Sequence, residues 1–301
     1  MNANQRKLPE MTEASDAEST RHGPITRLRR EIPNALATGA ARDPATSATG
    51  TAWVLTVGLL CAATAVGLFV TGGYHTGFEP LNRFGSLFPD WVWQWMTSFG
   101  NERVATALSL LVASRHPRVF WTLICTAAVA TLYSRGLKVL FDAARPPAVL
   151  APGSFHLIGE MLRRESFPSG HSVTAAVFFG VLLYYVRGLP WRVLLVAAAL
   201  LTGYSRIANG VHWPVDVTAG LAGGMFSVLV GVWLARRYPW GVRYAAVHVA
   251  FVVLAAIVSV SLFYDDGGYP AAAPLLAVIA IAGLASVLYG YVVRPVLVLL
   301  R

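Results

Sequence analysis

The chain has 301 residues, 55% of them hydrophobic and only 13% charged, against roughly 25% charged in an average soluble domain. With a mean hydropathy of +0.56, this composition indicates a polytopic membrane protein and excludes a disordered chain, a disulfide-stapled secreted module and a zinc-ribbon protein. The net charge is +9, from 24 Lys and Arg against 15 Asp and Glu; on a soluble protein it would suggest nucleic acid. Here most bases stand between apolar segments, where they hold loops on the cytoplasmic side, so no nucleic-acid partner is expected. Cys61 and Cys125 lie in apolar runs and read as small hydrophobes rather than a bridge or metal ligands.

Residues 1–50 are polar and mixed in charge, as expected of a disordered cytoplasmic tail. A membrane-crossing helix needs about 20 apolar residues. That rule predicts eight, near 52–72, 92–114, 119–141, 171–187, 191–209, 215–235, 244–264 and 272–293. Glu102 and Arg103 interrupt the second, and the fourth is short. The run Trp91-Val92-Trp93-Gln94-Trp95 is expected as an interfacial aromatic belt. The expected fold is all-α: a polytopic membrane helix bundle with a six-helix core over 51–235 and two further spanning helices within 236–301.

Charge placement orients the bundle. Arg27, Arg29 and Arg30 precede the first predicted helix, and Arg115 and Arg118 follow the second. Arg187 and Arg192 flank the fourth-to-fifth turn, Arg236, Arg237 and Arg243 follow the sixth helix, and Arg294 and Arg301 follow the eighth. Every second loop is basic, which predicts cytoplasmic termini. Two outer loops break this bias. One carries Lys138, Arg145, Arg163 and Arg164; the other begins at Arg206. An anionic substrate is the simplest reason for positive charge there.

Three segments of these outer loops carry chemistry: Lys138 to Arg145-Pro146, then Pro168-Ser169-Gly170-His171, then Ser205-Arg206 through His212 to Asp216. Singly, each has an ordinary explanation. Lys138 and Arg145 could snorkel to the interface, Pro-Ser-Gly could be a turn and cap, and His212 could be an interfacial histidine. Together they make a phosphate site with a nucleophile. Lys138, Arg145 and Arg206 match the oxygens of a phosphoryl group. Ser169 and Gly170 precede a helix start, where free N–H groups favour an anion. An imidazole can attack phosphorus when a carboxylate holds its other nitrogen. Asp216 stands four residues after His212, whereas no carboxylate stands four after His171. His212 with Asp216 is therefore the better nucleophile pair, and His171 is left as the acid for the leaving oxygen.

A metal site is the chemical rival, with His171, His212 and Asp216 as ligands and His156 as a spare. The three cations nearby would repel a divalent ion, so no metal and no cofactor are expected. Among the remaining charges, Arg135 and Asp142 are expected to pair with Lys138 along one helix, and Glu102 with Arg103 to cap a helix or pair with each other. His156, Arg163 and Arg164 are expected to be solvated or to meet a headgroup. His116 and His248 are expected to be incidental.

The three segments resemble the signature of the type-2 phosphatidic acid phosphatase family: K-x6-R-P, then P-S-G-H, then S-R-x5-H-x3-D, matched in order over a resemblance spanning roughly 52–235. The resemblance implies metal-independent phosphate hydrolysis through a phosphohistidine. It implies that Lys138, Arg145, Ser169, Gly170 and Arg206 bind phosphate, that His171 is the acid, that His212 is the nucleophile and that Asp216 orients it. The expected protein is thus a lipid phosphatase of a bacterial cytoplasmic membrane, with its site on the outer face. Its expected substrates are phosphomonoester or diphosphate lipids such as undecaprenyl diphosphate, phosphatidic acid, phosphatidylglycerol phosphate or lipid A. A lipid phosphotransferase would use the same site, and a vanadate-holding halide oxidase a similar one, although such oxidases are typically soluble. An anion transporter is the rival of another class, but charge at the bilayer midplane and paired repeats are missing from the pattern.

Overall fold

The computed structural model describes residues 24–299; the first part of the expected tail, residues 1–23, and residues 300–301 lie outside the described residues. Among the described residues all regular structure is helical. Residues within the expected disordered tail form α1 (Pro24–Arg42). The longer helices that follow are α2 (Ala48–Gly72), α6 (Pro117–Phe141), α7 (Gly170–Tyr185), α8 (Leu189–Ala208), α9 (Pro214–Arg237), α10 (Ala245–Val260) and α11 (Ala273–Leu288). Three short helices, α3 (Phe78–Gly85), α4 (Asp90–Ser98) and α5 (Glu102–Ala113), fill the connection from α2 to α6.

Six of the eight expected spans are long and apolar enough to cross a membrane. The second expected span, 92–114, is broken into α4 and α5. Asn101 stops it by capping the new helix, its side chain accepting from the Arg103 N–H at 2.9 Å. The fourth is only 16 residues long. It is buried around most of its circumference, as befits a helix enclosed by protein. Arg192 closes its far end, donating from Nε and Nη2 to the Val186 carbonyl at 3.0 and 2.9 Å.

The core is organised around α9, which packs on α2, α6 and α7, with α8 against α7. Along α2, Val54, Val57, Cys61 and Ala65 form the buried stripe, at the spacing that puts residues on one helical face. A second apolar cluster joins Trp93, Val104, Ile158 and Ala208 to Leu262, Tyr269 and Leu276. The helices α10 and α11 therefore pack on α5 and on the end of α8. The expected aromatic belt is only partly free: Trp91 is exposed, whereas Trp93 Nε1 donates to Gly85 O and Trp95 Nε1 to Ala271 O, each at 2.8 Å.

Chain direction sorts the charges. The end of α6, the start of α7, the end of α8 and the start of α9 share one end of the bundle. Arg115, Arg118, Arg187, Arg192, Arg236 and Arg237 lie at the opposite helix ends. Two expected pairings differ in the structure. Asp142 pairs with Arg164 across the loop rather than with Lys138, because it ends α6 in a left-handed conformation, φ 36°, which turns it off the helical face. Arg103 pairs with Asp265, in the turn between α10 and α11, at 2.6 Å rather than with its neighbour Glu102. His156 bonds Asp90 at 2.9 Å, His116 bonds Asp43 at 2.8 Å, and His248 is buried against the Gly241 carbonyl.

Candidate active site

The connection between α6 and α7 folds back on itself. Arg145 N–H donates to Arg163 O and Ser166 N–H to Ala143 O, at 3.0 and 2.9 Å. Into this doubled backbone Lys138 and Arg145 are tied. Lys138 Nζ donates to Glu165 O at 2.6 Å. Arg145 Nε donates to Arg164 O at 2.7 Å and Nη2 to Glu165 O at 3.3 Å. Its Nη1 donates to Val211 O at 3.3 Å and to His212 Nε2 at 3.1 Å. Arg206 ends α8 and is 2% exposed.

His212 lies between α8 and α9, outside the spanning helices. Burial, with the charges of Arg145, Arg206, Lys138 and His171 around it, holds its pKa well below the usual histidine value. The ring is therefore neutral at neutral pH. A neutral ring that accepts from Arg145 at Nε2 must carry its proton on Nδ1. Nδ1 faces Asp216 Oδ2 at 3.4 Å and Ser166 Oγ at 3.5 Å, both long for hydrogen bonds. Asp216 is bound more closely by others: Ser166 Oγ donates to Oδ2 at 2.5 Å, Trp213 N–H to Oδ2 at 2.9 Å, and Tyr74 Oη to Oδ1. Asp216 caps α9 and stands on the Nδ1 side of the ring, while Arg145 meets Nε2.

The other helix start divides its duties. Ser169 is fully buried and caps α7, accepting from Ser172 N–H at 3.4 Å and Ser172 Oγ at 2.9 Å. Its hydroxyl is engaged in the fold, as the ordinary explanation had it. Gly170 is different. A Cβ there would meet only Ser134 Oγ, at 3.9 Å, so the space before the first turn of α7 is open to an approaching group. His171 follows on that turn and makes no side-chain hydrogen bond among the described residues. Lys138, Arg145, Arg206 and His171 thus lie near enough to His212 for their charges to act on it, and Ser169 N–H donates to Asp216 O at 3.1 Å while its side chain serves the helix cap.

It also adds residues that no motif marked. Tyr74 belongs to the turn after α2, and its pKa is pushed up by burial and by the Asp216 carboxylate. Ser166, Thr97 and Tyr269 are likewise recruited from elsewhere, the last two as partners of Arg206. Ser166 stands three residues before Ser169, next to the Pro-Ser-Gly-His segment. Nothing in the sequence links Tyr74, Thr97 or Tyr269 to the site. Beside Asp216 an apolar groove of about 600 Å³ runs between α2, α6 and α9, lined by Phe69, Tyr74, Tyr133, Phe141, Phe167 and Phe226.

Comparison with known proteins follows this geometry. Residues 118–240 match the PAP2 superfamily. A lipid A 1-phosphatase of Rhizobium johnstonii is 34% identical over 52% of this chain and 69% of that protein. A lipid A 1-phosphatase of Rhizobium etli is 38% identical over 39% of this chain, which spans about half of that protein's length. An undecaprenyl-diphosphatase of Sulfolobus acidocaldarius is 31% identical over 44% of this chain and 65% of its own length. The matched segment holds all the residues expected from the three motifs, and the chain belongs to the PAP2 superfamily.

Proposed function

We propose that this chain is an integral lipid phosphatase of a bacterial cytoplasmic membrane, hydrolysing phosphomonoester or diphosphate lipids on the outer face through a phosphohistidine at His212. The contact between Arg145 Nη1 and His212 Nε2 carries this reading. It supports Nε2 as the unprotonated, attacking nitrogen, with Arg145 as a phosphate-binding donor beside it. On this reading an incoming phosphate oxygen takes over the Arg145 N–H and frees the Nε2 lone pair. Nε2 then bonds phosphorus as the bond to the leaving oxygen breaks, and His171 gives that oxygen its proton. In the second step water attacks phosphorus, His171 takes the water's proton, and the P–N bond breaks to release phosphate and neutral His212. Lys138, Arg145, Arg206 and the open N–H groups at Gly170 hold the equatorial oxygens, with Asp216 keeping the proton on Nδ1.

The apolar groove supports a lipid rather than a soluble ester. It meets the site at Tyr74 and Phe167 and offers no charged lining residue. The basic helix ends opposite the site support an outward orientation. The relatives' activities support lipid A and undecaprenyl diphosphate as first candidates, with phosphatidic acid and phosphatidylglycerol phosphate beside them. The test is a lipid panel with purified protein, measuring inorganic phosphate with and without an acceptor lipid. Release into water from at least one of these lipids is expected. Phosphate appearing only on the acceptor would make the chain a transferase, and a chain inert to the whole panel would end the proposal.

A further inference from the structure

Two acceptors converge on one nitrogen of Arg206. Its Nη1 donates to Thr97 Oγ1 at 2.6 Å and to Tyr269 Oη at 2.7 Å. Each terminal guanidinium nitrogen carries two N–H groups, so Nη1 is fully used. The guanidinium carbon also lies 5.8 Å from the centroid of the Tyr269 ring, within cation–π range. The side edge remains, formed by Nε and the Nη2 next to it. Nε is buried and has no hydrogen-bond partner, a state that native proteins rarely leave unexplained. A phosphate is bound most firmly by two parallel N–H bonds from such an edge.

Tyr269 is itself firmly held. It is 8% exposed and belongs to the apolar cluster with Trp93, Ile158 and Ala208. At Gly159, with φ +85°, a Cβ would stand 2.8 Å from Tyr269 Cε1; glycine lets that loop lie against the ring. The turn between α10 and α11 is tied down on both sides of Tyr269. Arg103 pairs with Asp265 at 2.6 Å, and Gln94 Oε1 accepts from Ala271 N–H at 2.9 Å. Thr97 and Tyr269 both lie outside residues 118–240, the segment that matches the superfamily. That segment alone leaves the Arg206 side chain without its two hydroxyl partners.

We propose that Tyr269, together with Thr97, is a positioning residue for catalysis, clamping Nη1 of Arg206 so that the Nε–Nη2 edge faces the substrate phosphate. The helices α10 and α11 then have a stated purpose: they carry the turn that completes the phosphate grip. This rests on Arg206 being a phosphate ligand, as in the proposed function.

The experiment uses the full-length protein in detergent micelles, with Tyr269→Phe, Arg206→Lys and the double variant. It reads kcat and KM on a lipid that the panel identifies, the inhibition constant of orthovanadate, and the thermal midpoint. Tyr269→Phe keeps the ring and removes only the hydroxyl. It is expected to keep the midpoint, to lower kcat/KM about tenfold, the scale of one hydrogen bond to a charged group, and to weaken orthovanadate by a similar factor. In the Arg206→Lys background the same substitution is expected to change neither. Thr97→Val should act in the same direction as Tyr269→Phe.

Wild-type turnover and inhibition in Tyr269→Phe would overturn the clamp. So would an undiminished tenfold loss in the Arg206→Lys background, or a loss that follows a lowered midpoint while orthovanadate inhibition stays unchanged. A wild-type protein that neither releases phosphate nor binds orthovanadate would sink the phosphatase reading and the clamp together. An active, vanadate-sensitive wild type indifferent to Tyr269→Phe would sink the clamp alone.

Discussion

Arg145 and Arg206 bring the same charge toward the same histidine by different means. Arg145 sits in a cage of backbone oxygens from Arg164, Glu165 and Val211. Arg206 meets two side-chain hydroxyls, both on one nitrogen. The cage consumes nearly all of Arg145's donors, so that residue also fastens the loop between α6 and α7 to the segment before α9. The clamp consumes one nitrogen and leaves an edge unused. In the proposed function the same guanidinium group would thus serve mainly as a structural rivet with one contact to the reaction, or mainly as a grip. Partners decide which, and backbone partners cannot be exchanged by substitution whereas hydroxyls can.

The largest test removes what the two arginines share. His212→Ala is expected to abolish turnover on every lipid and to leave no acid-labile phosphoenzyme after a short exposure to labelled substrate. A trapped phosphoenzyme in that variant would reassign the nucleophile and leave Asp216 as a helix cap.

Lysine at each arginine separates rivet from grip. Both Arg145→Lys and Arg206→Lys lose bidentate geometry and are expected to lower kcat about tenfold to a thousandfold, more than they raise KM. Thermal melting should tell them apart. Arg145→Lys leaves backbone carbonyls without their donors and should lower the midpoint clearly more than Arg206→Lys does. Equal shifts in the midpoint would erase the distinction.

A smaller effect is expected at Tyr74. Tyr74→Phe removes one donor from the Asp216 carboxylate and retains the ring that lines the groove. Turnover should fall about threefold to tenfold, the scale of one charge-assisted hydrogen bond, with KM nearly constant. A raised KM at constant kcat would assign Tyr74 to lipid binding instead.

The smallest effect is a shift along the pH axis. Burial and the surrounding cations hold the His212 pKa well below its usual value, and in the proposed mechanism the neutral ring is the attacking form. Activity that depends on the neutral ring is present above this lowered pKa and is lost as pH falls through it. Removing a cation makes protonation easier, so the pKa rises. In kcat/KM profiles, which report the free enzyme, the acid limb of Arg145→Gln should lie at higher pH than that of the wild type. Comparison on one substrate cancels the substrate's own titration. A limb that stays in place would mean that Arg145 does not act on the ring.

Much of this architecture is legible in the sequence. Apolar runs of spanning length announce themselves, and α2, α6, α8, α9, α10 and α11 correspond to predicted spans. The break between α4 and α5 escaped because hydropathy averages over a window while a cap is a single residue; Asn101 was the available sign. The expected motif residues converge because each stands at a helix end, where the chain must turn at the same face of the bundle. Tyr74, Thr97 and Tyr269 were not legible. Their partners lie 142, 109 and 63 residues away, and a lone tyrosine or threonine has no periodicity or spacing to mark it. Asp142 departs from the helical pairing because its left-handed conformation, invisible in composition, turns it toward Arg164.

The groove between α2, α6 and α9 changes how a rate should be expressed for the function proposed here. A lipid reaching His212 along that groove arrives by lateral diffusion, so the relevant concentration is its mole fraction in the film and not its amount per litre. Adding inert detergent or lipid at constant total substrate would then slow the enzyme by surface dilution. In a cell, the same geometry would make turnover depend on the composition of the outer leaflet and insensitive to soluble phosphate esters in the surrounding fluid.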